Sequence, residues 1–389
     1  MSEGKVIQEG LRGVVVARSA ICALDGQTGK LAYRGIHIDE LAEHSTYEET
    51  VYLLWFGQLP SEEQLDVFRD RLAAERSLSE ATWRVLRALP ENLDPMAALR
   101  TVVSVLGASD PHTEDGDPRA ALDRAVRLTA KLPTIVAGFH RLRSGEEPLD
   151  PDPEMDHAGN FLAMLRGDTP APVEQRAMDL AMLLMAEHEF NASTFTARVT
   201  ASTLSDIYSA IASAIGTLKG PLHGGANQCA MEMMLEIGEV DQVEPYIDAA
   251  FAAKRRIMGF GHRVYDVIDP RSDHLEEMLR KVSRYHGDER WLEIAKAVVE
   301  AVEKRKKGLY PNVDFFAAPM LYLLGVPIDL FTSIFAMSRI AGWTAHVMEQ
   351  YEENHLLRPL SCYVGEANRH YVPFAERNGR FVNQYLEEE

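Results

Sequence analysis

The sequence is short of cysteine, of basic charge and of long apolar runs, and each shortage excludes a class of protein. Its three cysteines, Cys22, Cys229 and Cys362, are too few and too scattered for a disulfide framework or a structural zinc site. They fit a reducing compartment. Its 40 Lys and Arg stand against 59 Asp and Glu, a net charge of −19. Nothing in that total attracts a phosphate backbone, which argues against a general nucleic-acid binder. No apolar run reaches the roughly 18 uncharged residues of a membrane helix. The stretch DLAMLLMAEHEF is too short and is broken by acids. The opening MSEGKVIQEG has neither a basic nor an apolar leader pattern, so a cytoplasmic location is expected.

Familiar catalytic motifs are also missing. His188-Glu189 begins a metalloprotease pattern, but Ala192 stands where the second histidine belongs. Gly259-Phe260-Gly261 begins a dinucleotide fingerprint, but its third glycine position is Val264. Gly29-Lys30 is followed by Leu31, and Leu24 replaces the first glycine of a phosphate loop. Cys229, among Ala230, Met231, Met233 and Met234, reads as a structural thiol rather than a nucleophile. No solenoid-type repeat and no metal-ligand cluster is visible.

What is present is a globular chain of 389 residues, long enough for two or three domains. Val14–Ala17 and Lys30–Tyr33, around the turn DGQTG, read as short strands. From Ile38 the periodicity is helical. Ser45-Thr46-Tyr47-Glu48 has capping-box spacing, with Gly57 placed as a C-cap. Helical periods follow at Glu62–Glu75, Asp94–Leu106, Pro118–Arg143, Val173–Ala186, Leu204–Leu218, Asn227–Gly238 and Pro245–Ile257. They continue at Asp273–Tyr285, Glu289–Lys307, Asp314–Leu324 and Phe331–Glu353. Gly107–Arg119 and Ser144–Asp156 are acidic, proline-bearing loops.

Against this background a few polar residues occupy low-charge, glycine-rich settings. In GPLHGGANQ, His223 precedes a helix whose N-terminus disfavours a cationic imidazole, leaving a neutral donor. His262 follows a glycine loop in IMGFGHRVYDVIDPR, with Arg271 beyond a proline turn. Asp314 in YPNVDFFAAP is a lone acid among apolar residues, where desolvation raises its basicity, although the same residue could serve as an N-cap. His188 lies in AEHEFNAST at the end of an apolar helix. Singly, each has an ordinary structural reading. Together, three histidines, an isolated acid and several arginines fit acid–base work on a small anion.

These fragments, with SRIAGW and LRPLS, stand in the order and spacing of the citrate synthase family, and the chain resembles the dimeric bacterial and archaeal type of that family over its whole length. The resemblance implies a mainly α, two-domain helical fold with a few short N-terminal β-strands. The large domain would be residues 1–219 with 322–389, and the small, CoA-side domain residues 220–321. It implies His223, His262 and Asp314 as catalytic residues, and His188, Arg271, Arg339 and Arg358 around oxaloacetate, with Arg358 crossing to the other subunit of a homodimer. CoA would lie over the loop of Ile257, Met258, Gly259 and Gly261, with Arg255, Arg256 and the run Lys304–Lys307, Lys306 included, as the candidates near its phosphates. No cofactor would be permanently bound; acetyl-CoA is the co-substrate and CoA a product.

The implied reaction condenses acetyl-CoA with oxaloacetate and hydrolyses citryl-CoA to citrate. The nearest alternative is a 2-methylcitrate synthase taking propionyl-CoA; a thiolase-like acyltransferase using Cys229 and a non-catalytic scaffold are further ones. The family's extra N-terminal domain of NADH-inhibited hexamers has no counterpart, so that regulation is not expected. The acidic total does not oppose anionic substrates. From Lys254 to Tyr310 there are 14 Lys and Arg against 10 Asp and Glu, a local charge of +4.

Overall fold

The computed structural model describes residues 7–11, 13–113, 118–366 and 368–377. The fold is mainly α, as the resemblance implies. Three short antiparallel strands, β1 (Cys22–Asp25), β2 (Lys30–Tyr33) and β3 (Ile36–His37), pair in the order β1-β2-β3. Cys22 faces Tyr33 and Asp25 faces Lys30 in the first ladder, and Tyr33 faces Ile36 in the second. Helices follow as α1 (Ile38–His44), α2 (Tyr47–Phe56), α3 (Glu62–Ala74), α4 (Glu80–Ala88), α5 (Pro95–Ser109), α6 (Pro118–Arg143), α7 (His157–Arg166) and α8 (Pro172–Met185). The second half contains α9 (Ala192–Ser202), α10 (Ile207–Leu218), α11 (Ala226–Ile237), α12 (Val243–Ala252), α13 (Pro270–His286), α14 (Arg290–Arg305), α15 (Val313–Leu323) and α16 (Phe331–Glu352).

The chain falls into two compact units. One comprises the described residues of Met1–Val16 and Arg358–Glu389, the other Ala17–Leu357. In the larger unit α16 is buried continuously from Phe331 to Val347. A helix buried on all sides lies at the centre of a core rather than on its surface. Helices α2, α5, α6, α8, α9, α10 and α11 all pack against it. No helix among the described residues is long and apolar enough to cross a membrane.

The helix boundaries follow local chemistry. Asp94 caps α5 with Pro95 behind it, and Asp269 caps α13 with Pro270 behind it. Gly57 closes α2 at φ 77°, as its position predicts.

Four expectations are corrected. Val14–Ala17 forms no strand, and Val15 is largely exposed; with neither a buried face nor a paired strand, β-branched residues alone do not make one. The strand that pairs with Lys30–Tyr33 is Cys22–Asp25. The cap of α2 is Thr46, whose hydroxyl accepts the Glu49 N–H at 3.3 Å. Glu48 turns inward to accept the His157 N–H at 2.8 Å instead of closing a capping box. Finally, helices α4, α7 and α9 were not among the sequence-derived periods.

Candidate active site

The segment AEHEFNAST is the turn between α8 and α9. Helix α8 ends at Met185, and Asn191 caps α9 by accepting the Thr194 N–H at 3.1 Å. Between them Glu189 has φ +53°, a left-handed conformation costly for a non-glycine residue. That bend turns His188 inward, where its Nε2 meets the Tyr265 hydroxyl at 3.1 Å. Burial first, then the charges of Arg271, His262 and Arg339, hold the His188 pKa well below its usual value. The ring is neutral.

His262 stands in the irregular segment between α12 and α13. Its Nδ1 accepts the N–H groups of Val264 at 3.0 Å and Tyr265 at 3.2 Å. Two fixed backbone donors on Nδ1 place the proton on Nε2, making that nitrogen the free donor. Burial and then Arg271 lower its pKa to about 4. Its ring lies 5.1 Å from His188 and 4.7 Å from Tyr265, centre to centre.

His223 precedes α11 by a short glycine turn. Its Nε2 accepts the Ser193 N–H at 3.2 Å, with the Ser193 hydroxyl at 2.8 Å. The Trp343 indole N–H donates to that hydroxyl oxygen at 3.1 Å. The backbone donor fixes the tautomer with the proton on Nδ1, which has no hydrogen-bond partner among the described residues. Burial, then Arg339, lowers the His223 pKa to about 4.

The glycine loop before His262 is pinned to the lead-in of α15. Gly261 N–H donates to the Tyr310 carbonyl at 2.8 Å, and Asn312 N–H to the Gly259 carbonyl at 2.9 Å. A Cβ on Gly259 would sit 2.9 Å from the Phe315 Cα, so this close approach requires glycine. Asn312 caps α15 by accepting the Asp314 N–H at 3.0 Å. Asp314 is therefore not the cap, and its carboxylate is left free for other work. It accepts no hydrogen bond among the described residues. It keeps some exposed surface but is closely ringed by other atoms, and burial raises its pKa to about 6; Arg271 and Arg339 oppose the shift and Asp269 adds to it.

Arg271 and Arg339 are both buried. Arg271 is held by Asp269, with Nε to Oδ1 at 2.9 Å and Nη2 to Oδ2 at 2.7 Å. Arg339 donates from Nε to the Met185 carbonyl at 2.7 Å and stacks 4.7 Å from the Phe335 ring centre. Its two Nη groups have no hydrogen-bond partner among the described residues. A buried guanidinium without a carboxylate partner is costly unless a ligand supplies one.

Six sequence-derived residues, His188, His223, His262, Arg271, Asp314 and Arg339, thus share one electrostatic neighbourhood, since each titratable member feels Arg271 or Arg339. Arg358 is exposed and belongs to the other compact unit. Of the expected CoA-side residues, Ile257 and Gly259 are buried, Met258 is half-buried, and Arg255, Arg256 and Lys306 are exposed. Arg255 stacks 5.2 Å from the Tyr246 ring centre. Lys304 pairs with Glu244 at 2.9 Å and Arg305 with Asp248 at 2.7 Å, so half of the basic run is already neutralised. Burial raises the Cys229 pKa, keeping it a thiol rather than a nucleophile.

Sequence reasoning missed Asp269, Tyr265, Ser193 and Trp343. Asp269 was detectable as an Asp-Pro helix start, and Ser193 lies inside HEFNAST. Trp343 reaches Ser193 across 150 positions, a separation no local pattern reports.

Two neutral histidines with directed N–H groups, a basic carboxylate and two buried arginines suit proton abstraction beside a carbonyl on an anionic substrate. A family model described as citrate synthase, C-terminal domain, matches residues 10–360. The chain belongs to the citrate synthase family. It is 46% identical over 369 residues to citrate synthase 2 of Bacillus subtilis, covering 95% of this chain and 98% of that protein. It is 43% identical over 384 residues to 2-methylcitrate synthase 1 of Corynebacterium glutamicum, covering 97% of this chain and all of that one. Among solved structures, the ternary complex of Thermoplasma acidophilum citrate synthase with carboxymethyl coenzyme A and oxaloacetate matches with a TM-score of 0.89 at 33% identity, over 96% of this chain and 100% of that one. The family assignment agrees with the sequence resemblance, and the family is one of acyltransferases.

Proposed function

We propose that this chain condenses acetyl-CoA with oxaloacetate and hydrolyses the resulting citryl-CoA to citrate and CoA. Asp314 removes a proton from the acetyl methyl group. The His223 Nδ1–H donates to the thioester oxygen as negative charge develops there. The His262 Nε2–H polarises the oxaloacetate ketone and delivers its proton to the new alcohol oxygen. Water then attacks the citryl thioester, releasing CoA. His188, Arg271, Arg339 and Arg358 hold the carboxylates, for which a guanidinium fork is suited.

The observation that carries this reading is the pair of histidine tautomers: a backbone N–H occupies one ring nitrogen of each, leaving the other as a donor. Low pKa values near 4 keep both rings neutral at physiological pH. A neutral donor of this kind stabilises an enolate-like oxygen without protonating the thioester prematurely.

CoA lies over Ile257–Gly261 in this reading, with Arg255, Arg256 and Lys306 toward its phosphates. The division into a large domain (1–219 with 322–389) and a small one (220–321) that closes over substrate belongs to the same reading. So does a cytoplasmic location, which the three free cysteines favour.

The acyl preference is tested by thiol release. Acetyl-CoA is expected to turn over faster than propionyl-CoA, by about 10–200-fold if the pocket excludes one methylene. A faster rate with propionyl-CoA would replace this reading with the 2-methylcitrate synthase one.

The protein works as a homodimer whose sites are shared. Leu360, Tyr363, Val364, Tyr371 and Phe374 in the terminal unit are largely exposed, an apolar surface that a second copy would cover. Arg358 of one subunit then completes the site of the other. Asp314→Ala and Arg358→Ala are each expected to be nearly inactive, while mixing and reassociating equal amounts restores about a quarter of wild-type turnover, since half the dimers carry one intact site of two. No recovery in verified heterodimers would place Arg358 in its own subunit's site.

A further inference from the structure

We infer that Asp269 is a positioning residue that ties the substrate arginine to the helix carrying the base, an inference that rests on the roles proposed above. Asp269 is buried, and its two oxygens accept four donors. Oδ1 accepts the Arg271 backbone N–H at 3.1 Å and its Nε–H at 2.9 Å. Oδ2 accepts the Arg271 Nη2–H at 2.7 Å and the Val313 N–H at 3.2 Å.

Each bond has a consequence. Holding Nε and Nη2 along one edge fixes the roll of the guanidinium, so that the Nη1 side is presented for a substrate carboxylate. Nη1 itself has only a long contact, 3.4 Å to the Leu184 carbonyl, leaving donor capacity unused. Val313 is the first residue of α15, where no intrahelical carbonyl is available for its N–H. Asp269 supplies that acceptor one residue before Asp314. One carboxylate thereby sets both the arginine that receives oxaloacetate and the first turn that aims the base. Its charge also acts on both proton-handling groups, raising the pKa of Asp314 and of His262.

An asparagine at 269 keeps the shape, loses the charge and must point an N–H₂ group at one of the present donors. For Asp269→Asn we expect the KM for oxaloacetate to rise about tenfold or more. The acid limb of the kcat–pH profile should move to lower pH, because Asp314 loses a neighbouring negative charge. A merely structural role would lower turnover without moving that limb.

The measurement uses full-length wild type, Asp269→Asn and Asp314→Asn, with circular dichroism confirming the fold. A folded Asp269→Asn with wild-type oxaloacetate KM and an unmoved acid limb would overturn the inference. If Asp314→Asn instead retains wild-type turnover, it is the assignment of the base that fails. Should Asp269→Asn not fold, Val313→Pro replaces it. Proline is accepted at the first helical position, and Asn312 before it is already extended at φ −107°, ψ −177°. This variant removes the Val313 N–H together with a buried side chain, so Val313→Ala, which keeps the N–H, is measured beside it; a kcat several-fold below that of Val313→Ala with oxaloacetate KM near wild type supports the link. A kcat equal to that of Val313→Ala overturns it.

Discussion

Asp314→Asn is expected to lower kcat by about 10²–10⁴-fold while leaving the fold intact, because a positioned general base contributes that much. The carboxylate accepts no hydrogen bond among the described residues, and Asn312 rather than Asp314 caps α15. Replacing it with an amide therefore removes chemistry without removing a structural bond. Thermal melting should show a midpoint at or above that of wild type, since a desolvated carboxylate is a cost to the folded state.

The same group sets the pH dependence. Burial raises its pKa to about 6, and the base works only when ionised. Activity should accordingly fall as pH drops through about 6. His223 and His262, both near 4, stay neutral across that range and add no limb of their own. A kcat–pH profile flat from pH values well below that of Asp314 would remove it from the role of base.

His223→Ala should cost about 10²–10³-fold in kcat, the usual loss when one donor to a developing oxyanion is deleted. The effect should fall mainly on kcat rather than on the KM for acetyl-CoA, because the bond is made strongly only as charge builds. Truncation also strips the acceptor from the Ser193 N–H, which His223 Nε2 supplies at 3.2 Å. Stability should drop by about 1–3 kcal/mol if water does not replace that acceptor. Single-turnover kinetics separate the two effects. An unchanged chemical step in a folded protein would show that His223 is structural.

Much of this arrangement was legible in the sequence because the site residues sit at helix ends, where capping and glycine signals are local. Gly259 and Gly261 marked the loop that carries His262, and Arg339 stood out as the lone charge in the stretch FAMSRIAGW of helix α16. Arg339 meets α8 through the Met185 carbonyl, a contact across 154 positions that no periodicity encodes. The long, strongly apolar helices were readable by period. Helix α9 was not, since ASTFTARVTAS is rich in small and hydroxyl residues that favour turns when read alone. Tertiary packing decides it: α9 lies against α10 and α16.

Glu48 illustrates the opposite failure. Its spacing from Ser45 fits a capping box, yet burial beside α7 recruits its carboxylate for the His157 N–H at 2.8 Å. Val14–Ala17 has β-branched composition without a partner strand, and composition alone could not reveal that. Asp269 was visible as a helix start, but its tie to α15 was hidden for a related reason. A helix-capping aspartate is locally ordinary, and its contact with Val313 spans 44 positions.

The central claim is a condensation, not simple thioester hydrolysis, and the stoichiometry of one reaction mixture tests it directly. Purified protein is incubated with acetyl-CoA, with and without oxaloacetate, and free thiol and citrate are measured together. The expected result is thiol release only in the presence of oxaloacetate, with one citrate formed per thiol. Thiol release without oxaloacetate, or release in its presence without citrate, would contradict the claim.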